Sequence, residues 1–403
     1  MSHDCIEIPT STINLQDRSF VADPYPALRA VQDAGPVVYH EGLGQYFVAR
    51  WQECTTILSS PARYVEDEQM ANRFFGGESM KGLDDPRHDL LRGIWADAFR
   101  RGSIETKRDM IAEIVDEQLL PFVQRLKAGG PLDAVSGMVR AIPTIVIAKL
   151  LGIPEADHRQ FTEWSELMIG VAAGAVNDTP EGRRSVQRGM QATAEMNSYL
   201  RGQYLERGDE SADDLIGRLI SSPVSRDMSE RDVVASFTQL GFAGNETTPK
   251  LMATVLYALA RFPDQRELLL DDRSLIPQAI EEINRWSSPA QVNWRIVQPG
   301  GGGGAISGAH VPEGATLLCL EGMANRDPRR WDDPDRLDVL RARLPNMGFG
   351  FGRHTCLGIH LARLETQVWL ERVLDEIPEW TVADLDWGTS WVARGPVRID
   401  IAA

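Results

Sequence analysis

The residues best placed to do chemistry stand in one decapeptide, Phe349-Gly350-Phe351-Gly352-Arg353-His354-Thr355-Cys356-Leu357-Gly358. Its glycines permit tight turns and close approach of the backbone to a flat ligand. Beyond it, Leu357, Leu361, Leu364 and Val368 fall on one face of a predicted helix, so Cys356 sits just before a helix N-terminus. The partial positive charge and free N–H groups there favour thiolate over thiol. A thiolate is a nucleophile or a metal ligand. By residue type alone, a lone cysteine is more commonly a small buried hydrophobe.

Three further constellations carry charge or protons. Ala243-Gly244-Asn245-Glu246-Thr247-Thr248 lies inside the longest helical pattern, Ser229–Arg261, although glycine and threonine are poor helix formers. An acid beside an alcohol can pass protons where water is restricted; the plainer reading is a kink with local side-chain-to-backbone bonds. Pro249 lacks the N–H that would bond the carbonyl of Asn245, which is expected to open the helix groove there. Glu282 and Arg285 are three apart on one helix face and able to pair, although such pairs are commonly surface decoration. His88 and Arg92 lie four apart on another predicted helix.

In this order, these stretches resemble the cytochrome P450 superfamily. Phe349, Gly352, Cys356 and Gly358 match its F-x-x-G-x-x-x-C-x-G signature. Ala243, Gly244, Glu246 and Thr247 match A-G-x-[DE]-T; Glu282 and Arg285 match E-x-x-R, with Arg336 at the position of a third, basic partner. Pro86, His88 and Arg92 match P-x-H-x-x-x-R, and Arg295 and His354 match two further propionate contacts. The resemblance implies a mainly α, single-domain P450 fold over residues 1–403, helix-rich with a minor β portion. It implies haem b (iron protoporphyrin IX) with Cys356 as axial thiolate, pushing electron density into the iron and favouring O–O cleavage. His88, Arg92, Arg295, His354, Phe349, Gly350, Gly358, Ala243 and Gly244 would contact the cofactor, while Glu246 and Thr247 organise protonation. Glu282, Arg285 and Arg336 would hold the scaffold behind the cysteine loop.

The implied activity is a monooxygenase placing one atom of O2 into a C–H bond of a small-to-medium hydrophobic substrate. Electrons would come from NAD(P)H through an external ferredoxin and ferredoxin reductase, since no flavin or nicotinamide fingerprint is visible. Arg100, Arg101, Lys107, Arg343 and Arg353 are expected to form a basic docking patch for that ferredoxin. Met70, Phe74, Phe75, Leu240, Ala243, Val292, Asn293, Trp294, Trp391 and Val392 match the family's pocket walls, largely apolar with Asn293 as a polar handle. A peroxide-driven peroxygenase on the same fold is the nearest rival, but such relatives generally lack the acid–alcohol pair kept here. A non-catalytic haem-binding protein would need the thiolate and not the pair; a zinc or thiol protein would use Cys356 alone.

The elements that must position these residues follow from pattern. Pro36–Tyr39 and Gln45–Ala49 read as a hairpin, and Asp85 to Arg285 as successive helices, including Thr106–Leu126 and a nearly apolar, buried Val135–Leu151. The small-residue run Gly170–Val176, with Gly174 and Pro180 as interruptions, is expected to lie between two helical patterns and form a mobile lid. Val292–Val297 reads as a strand; Gly300–Gly304 is not a phosphate loop, because no Gly-Lys-Ser/Thr follows. The 403 residues are 43% hydrophobic and 25% charged, an ordinary globular balance. A net charge of −16 excludes a nucleic-acid partner. The four cysteines, Cys5, Cys54, Cys319 and Cys356, form no CxxC pair. With no secretory signal and no membrane-length apolar run, the expectation is a cytoplasmic protein without a membrane partner.

Overall fold

Segments with apolar residues at helical spacing become helices and make up most of one of the two units into which the chain divides. A computed structural model describes residues 6–175, 179–208, 213–300 and 304–403; Cys5, Val176 and residues 301–303 of the glycine run lie outside them. The helical unit takes Glu68–Ile280, Leu357–Trp387 and Gly395–Ala403. The sheet unit takes the chain up to Asp67, Glu281–Cys356 and Gly388–Arg394.

In the helical unit, the predicted Thr106–Leu126 pattern is the helix Arg108–Lys127, with Ile111, Val115, Leu119 and Phe122 buried. The apolar run from Val135 is not one continuous helix: a π turn, Val135–Val139, precedes the α-helix Ala141–Leu151. The helix His158–Ala175 continues through Gly170, which corrects the expectation that this run interrupts helical structure. Gly170 packs closely on the helix Pro180–Arg207: a Cβ there would lie 2.4 Å from Ser185 Oγ.

The long helix is Glu230–Arg261. Ser229 is the N-cap, its hydroxyl accepting from the amide of Asp232 at 3.2 Å, with Glu230 and Asp232 in the first turn. It stays helical through Pro249. The helix after the cysteine loop is Ile359–Glu376, with Leu361, Leu364 and Val368 buried. A small antiparallel sheet of Thr381–Asp386, Arg398–Ala402 and Leu132–Asp133 completes this unit.

The sheet unit is built on six strands. The predicted hairpin forms as Val38–His40 against Gln45–Val48, with Val38 opposite Phe47. Gln45–Val48 runs parallel to Thr316–Cys319, which pairs antiparallel with Asn293–Val297, the predicted strand carrying Arg295. Tyr64–Val65 and Thr10–Ser11 are the two edges. Trp391 is fully buried here, packed edge-on to Phe20 at 5.8 Å, so it is a core residue and not the pocket wall expected of it. Val392 is buried beside it, its carbonyl accepting from the amide of Gln291 at 2.9 Å. Among the described residues, no helix is long and apolar enough to cross a membrane.

Candidate active site

The cysteine loop is shaped by backbone bonds of its own. The Cys356 amide donates to the Phe349 carbonyl at 2.8 Å, and the Gly350 amide to the Met347 carbonyl at 2.9 Å. Gly352 has φ +76°, and a Cβ there would lie 2.3 Å from the carbonyl oxygen of Leu58, so both conformation and space demand glycine. Gly358 is the N-cap of the helix that follows, which places Cys356 just ahead of its free amides. Cys356 is exposed, whereas Cys54 and Cys319 are buried. Burial pushes the Cys54 thiol well above its ordinary range. Cys356 is therefore not the small buried hydrophobe that a lone cysteine usually is, and those two are.

Behind the loop, Glu282 and Arg285 form a buried bidentate pair, Nε–Oε2 at 2.7 Å and Nη2–Oε1 at 2.8 Å. The remaining Arg285 Nη1 donates to the carbonyls of Asn325 at 3.0 Å and Pro334 at 2.8 Å. The third basic partner is Arg341, not Arg336: Arg341 Nε donates to Glu282 Oε1 at 3.0 Å. Arg336 is exposed, and its backbone carbonyl accepts from Arg285 at 3.2 Å and Arg341 at 3.0 Å. The irregular chain turns its carbonyls inward here, and the next arginine along reaches the carboxylate. Asn325 ties this scaffold to the loop, its Oδ1 accepting from the Met347 amide at 2.7 Å.

Arg295 and His354 come together on one buried carboxylate that sequence reasoning missed. Arg295 Nη1 lies 2.7 Å, and His354 Nε2 3.5 Å, from Glu66 Oε1. Glu66, the first of three consecutive acids after a two-residue edge strand, carries no pattern that would have singled it out. Asn293, the expected polar handle, donates from Nδ2 to Glu321 Oε1 at 2.9 Å. Val292 is buried and Trp294 half-buried.

The helical unit holds the other predicted residues. On the helix Arg87–Ala96, His88 is buried with Arg92 half-buried one turn on. Burial, and then the charge of Arg92, lower the His88 pKa, while Asp89 and Asp85 oppose this. Midway along the long helix, Ala243 and Thr247 are exposed one turn apart, with Gly244 and Glu246 half-buried between buried Leu240, Asn245 and Thr248. Thr247 Oγ1 donates back to the Ala243 carbonyl at 3.5 Å, and Lys250 Nζ donates to Glu246. Asn245 is anchored by Nδ2 to Ser165 Oγ at 2.7 Å. Beside this strip Phe74 meets Phe75 at 4.7 Å and Phe242 at 4.9 Å between ring centroids. Phe242 was missed, although its place between Leu240 and Ala243 was a signal; Met70, on the helix of Phe74 and Phe75, is exposed.

The family model for Cytochrome P450 matches residues 180–377. Over 394 residues the chain is 31% identical to mycinamicin IV hydroxylase/epoxidase of Micromonospora griseorubida, covering 94% of this chain and 95% of that one. The chain belongs to the cytochrome P450 family. It is also 30% identical over 398 residues to nocardicin C N-oxygenase of Nocardia uniformis subsp. tsuyamanensis, covering 94% of each. Among solved P450 structures, CYP109E1 from Bacillus megaterium in complex with testosterone superposes with TM-score 0.86 at 26% identity, covering 96% of this chain and 99% of that one. The P450 fold and a P450 monooxygenase activity follow.

Membership implies haem and dioxygen, and the residues of this P450 fit haem. The sulfur of Cys356 is accessible ahead of a helix N-terminus, and Arg295 and His354 already converge on a carboxylate oxygen, the group a propionate would present. Glu365, on the helix after the loop, lies outside this donor set. It is 2% exposed, and burial raises its pKa from 4.5 to about 8. The unfolded chain ionises first, so this group makes folding less favourable as pH rises from 4.5 to about 8. Glu365→Gln should therefore unfold like the wild type below pH 4.5 and be more stable above pH 8, by up to roughly 5 kcal/mol. Denaturant titrations across that range check it, and a gap that does not widen with pH would refute the assignment.

Proposed function

We propose that this P450 inserts one oxygen atom of O2 into a C–H bond of a small-to-medium hydrophobic substrate, in the cytoplasm. Electrons would pass from NAD(P)H through a ferredoxin reductase and a ferredoxin. The observation that carries this reading is an exposed alcohol, Thr247, next to a half-buried acid, Glu246, on a helix otherwise largely buried. Cys356 would hold haem b, and His88, Arg92, Arg295 and His354 would pair its propionates; the group would supply the redox chemistry that activates dioxygen.

The chain's own residues do the rest. Cys356 provides a negative sulfur stabilised by helix amides. Thr247 presents a hydroxyl proton at the strip, and Glu246 replaces it from solvent. Phe74, Phe75 and Phe242 form an apolar wall that excludes bulk water and favours an apolar substrate. The relatives' own names, a hydroxylase/epoxidase and an N-oxygenase, support oxygen insertion as the reaction type. Arg100, Arg101, Arg343 and Arg353 are exposed and Lys107 half-buried, and these cations would meet an acidic ferredoxin.

Thr247→Ala tests the reading. With a ferredoxin system and a substrate that the wild type turns over, oxygen consumption should continue while product per dioxygen falls by about tenfold or more, general acid–base steps contributing roughly 10²–10⁴. Product and dioxygen are measured together. Unchanged coupling would overturn the proton-relay reading; equal product from peroxide alone, with no reductant, would favour a peroxygenase.

A further inference from the structure

Lys250 stands one helical turn beyond Glu246, an ammonium in an almost closed interior. Its side chain is 9% exposed and that of Glu246 is 12% exposed. A buried ammonium is strongly unfavourable unless paired, and Nζ of Lys250 donates to Oε1 of Glu246. Glutamate N-terminal to lysine at i,i+4 is the favourable order on a helix.

The chain at Gly395 passes close over this turn of the helix: a Cβ there would lie 2.5 Å from Cβ and 3.1 Å from Cα of Lys250. The acid and the alcohol also point in opposite directions along the helix. Glu246 reaches forward one turn to Lys250, while Thr247 reaches back one turn to the carbonyl of Ala243. In this arrangement the acid's bond runs to Lys250 and the alcohol's to Ala243.

Resting on the reading of Glu246 as proton source, we propose that Lys250 is its positioning residue, a latch that must open before Glu246 can serve Thr247. The charged groups facing Glu246 from neighbouring elements are Arg140, from the turn before Ala141–Leu151, and Glu166, from His158–Ala175. These two pair with each other at 3.2 Å and are each more than a third exposed, so Lys250 is the partner buried with the acid. Burial raises the Glu246 pKa; Lys250, by charge and hydrogen bond, then Arg140, pull it down, and Glu166 pushes it up. Removing the ammonium leaves burial unopposed by its main counterweight. The carboxyl then keeps its proton to higher pH.

Lys250→Met, Lys250→Arg and the neutral-pair variant Lys250→Met/Glu246→Gln test this. The infrared carbonyl band of protonated Glu246, told from that of Glu365 by its loss in the double variant, should persist to higher pH in Lys250→Met than in wild type. Lys250→Arg should follow the wild type. The pH profile of product per dioxygen should shift to the alkaline side in Lys250→Met and return in Lys250→Arg. An infrared titration identical in Lys250→Met and wild type overturns the latch, and so does a shifted titration with an unmoved pH profile. If Lys250→Met does not fold while the double variant does, the lone buried carboxylate is the cause and the pairing is upheld. The infrared readout does not depend on turnover. Failure of the relay itself shows instead as unchanged coupling in Thr247→Ala.

Discussion

Cys356→Ser should fold, unfold at nearly the wild-type denaturant concentration, and form product only at background. Position 356 gives the loop its backbone amide, which donates to Phe349 and which serine retains. The side chain is exposed, so its replacement leaves no cavity, and surface changes of this kind usually stay within about 0.5 kcal/mol. The loss is chemical. A serine hydroxyl stays protonated where the cysteine would be thiolate, and it cannot give the soft, anionic sulfur that pushes electron density to iron. The reduced carbon monoxide spectrum reads the axial ligand directly, and it should lose its thiolate character. A variant that keeps both the thiolate-type spectrum and turnover would mean that another residue holds the iron.

The second large effect is on stability. Arg285→Ala strands a buried Glu282 and removes the donor from the carbonyls of Asn325, Pro334 and Arg336. Breaking a buried pair from one side costs about 3–5 kcal/mol, so the variant should unfold at much lower urea and hold haem poorly. Arg341→Ala should cost less, because Glu282 keeps its bidentate partner and an amide bond from Asp338 at 3.1 Å. Arg336→Ala should change stability by no more than about 0.5 kcal/mol, its exposed side chain making no bond to Glu282. Urea titrations of the three variants test that ranking. Arg336→Ala costing more than Arg341→Ala would contradict the geometry.

The chemical core of this P450 was legible because its signals are local. A cysteine, three glycines and a helix start lie within ten residues, and helix spacing alone puts Glu246 beside Thr247 and Glu282 over Arg285. The third arginine was not legible, because the segment between Arg336 and Arg341 has no periodicity from which its turn could be read. Glu66 went unseen because long-range sheet pairing, not neighbouring residues, brings it to Arg295. Trp391 was misplaced because an aromatic side chain reads alike in a pocket wall and in a core. The run at Gly170 reads as a break because small residues that end helices also let helices pack closely. Lys250 was not legible because a charge one turn beyond an acid reads as a solvated surface pair, and only tertiary packing buries it.

The carbonyl of Leu58 pressing on Gly352 has a consequence for engineering by segment exchange. The ligand loop is moulded by a turn that precedes it by most of the chain's length, so transplanting the decapeptide between relatives carries only half of the mould. Chimeras with a crossover between the two would keep their geometry only where the donor's upstream turn travels with its loop.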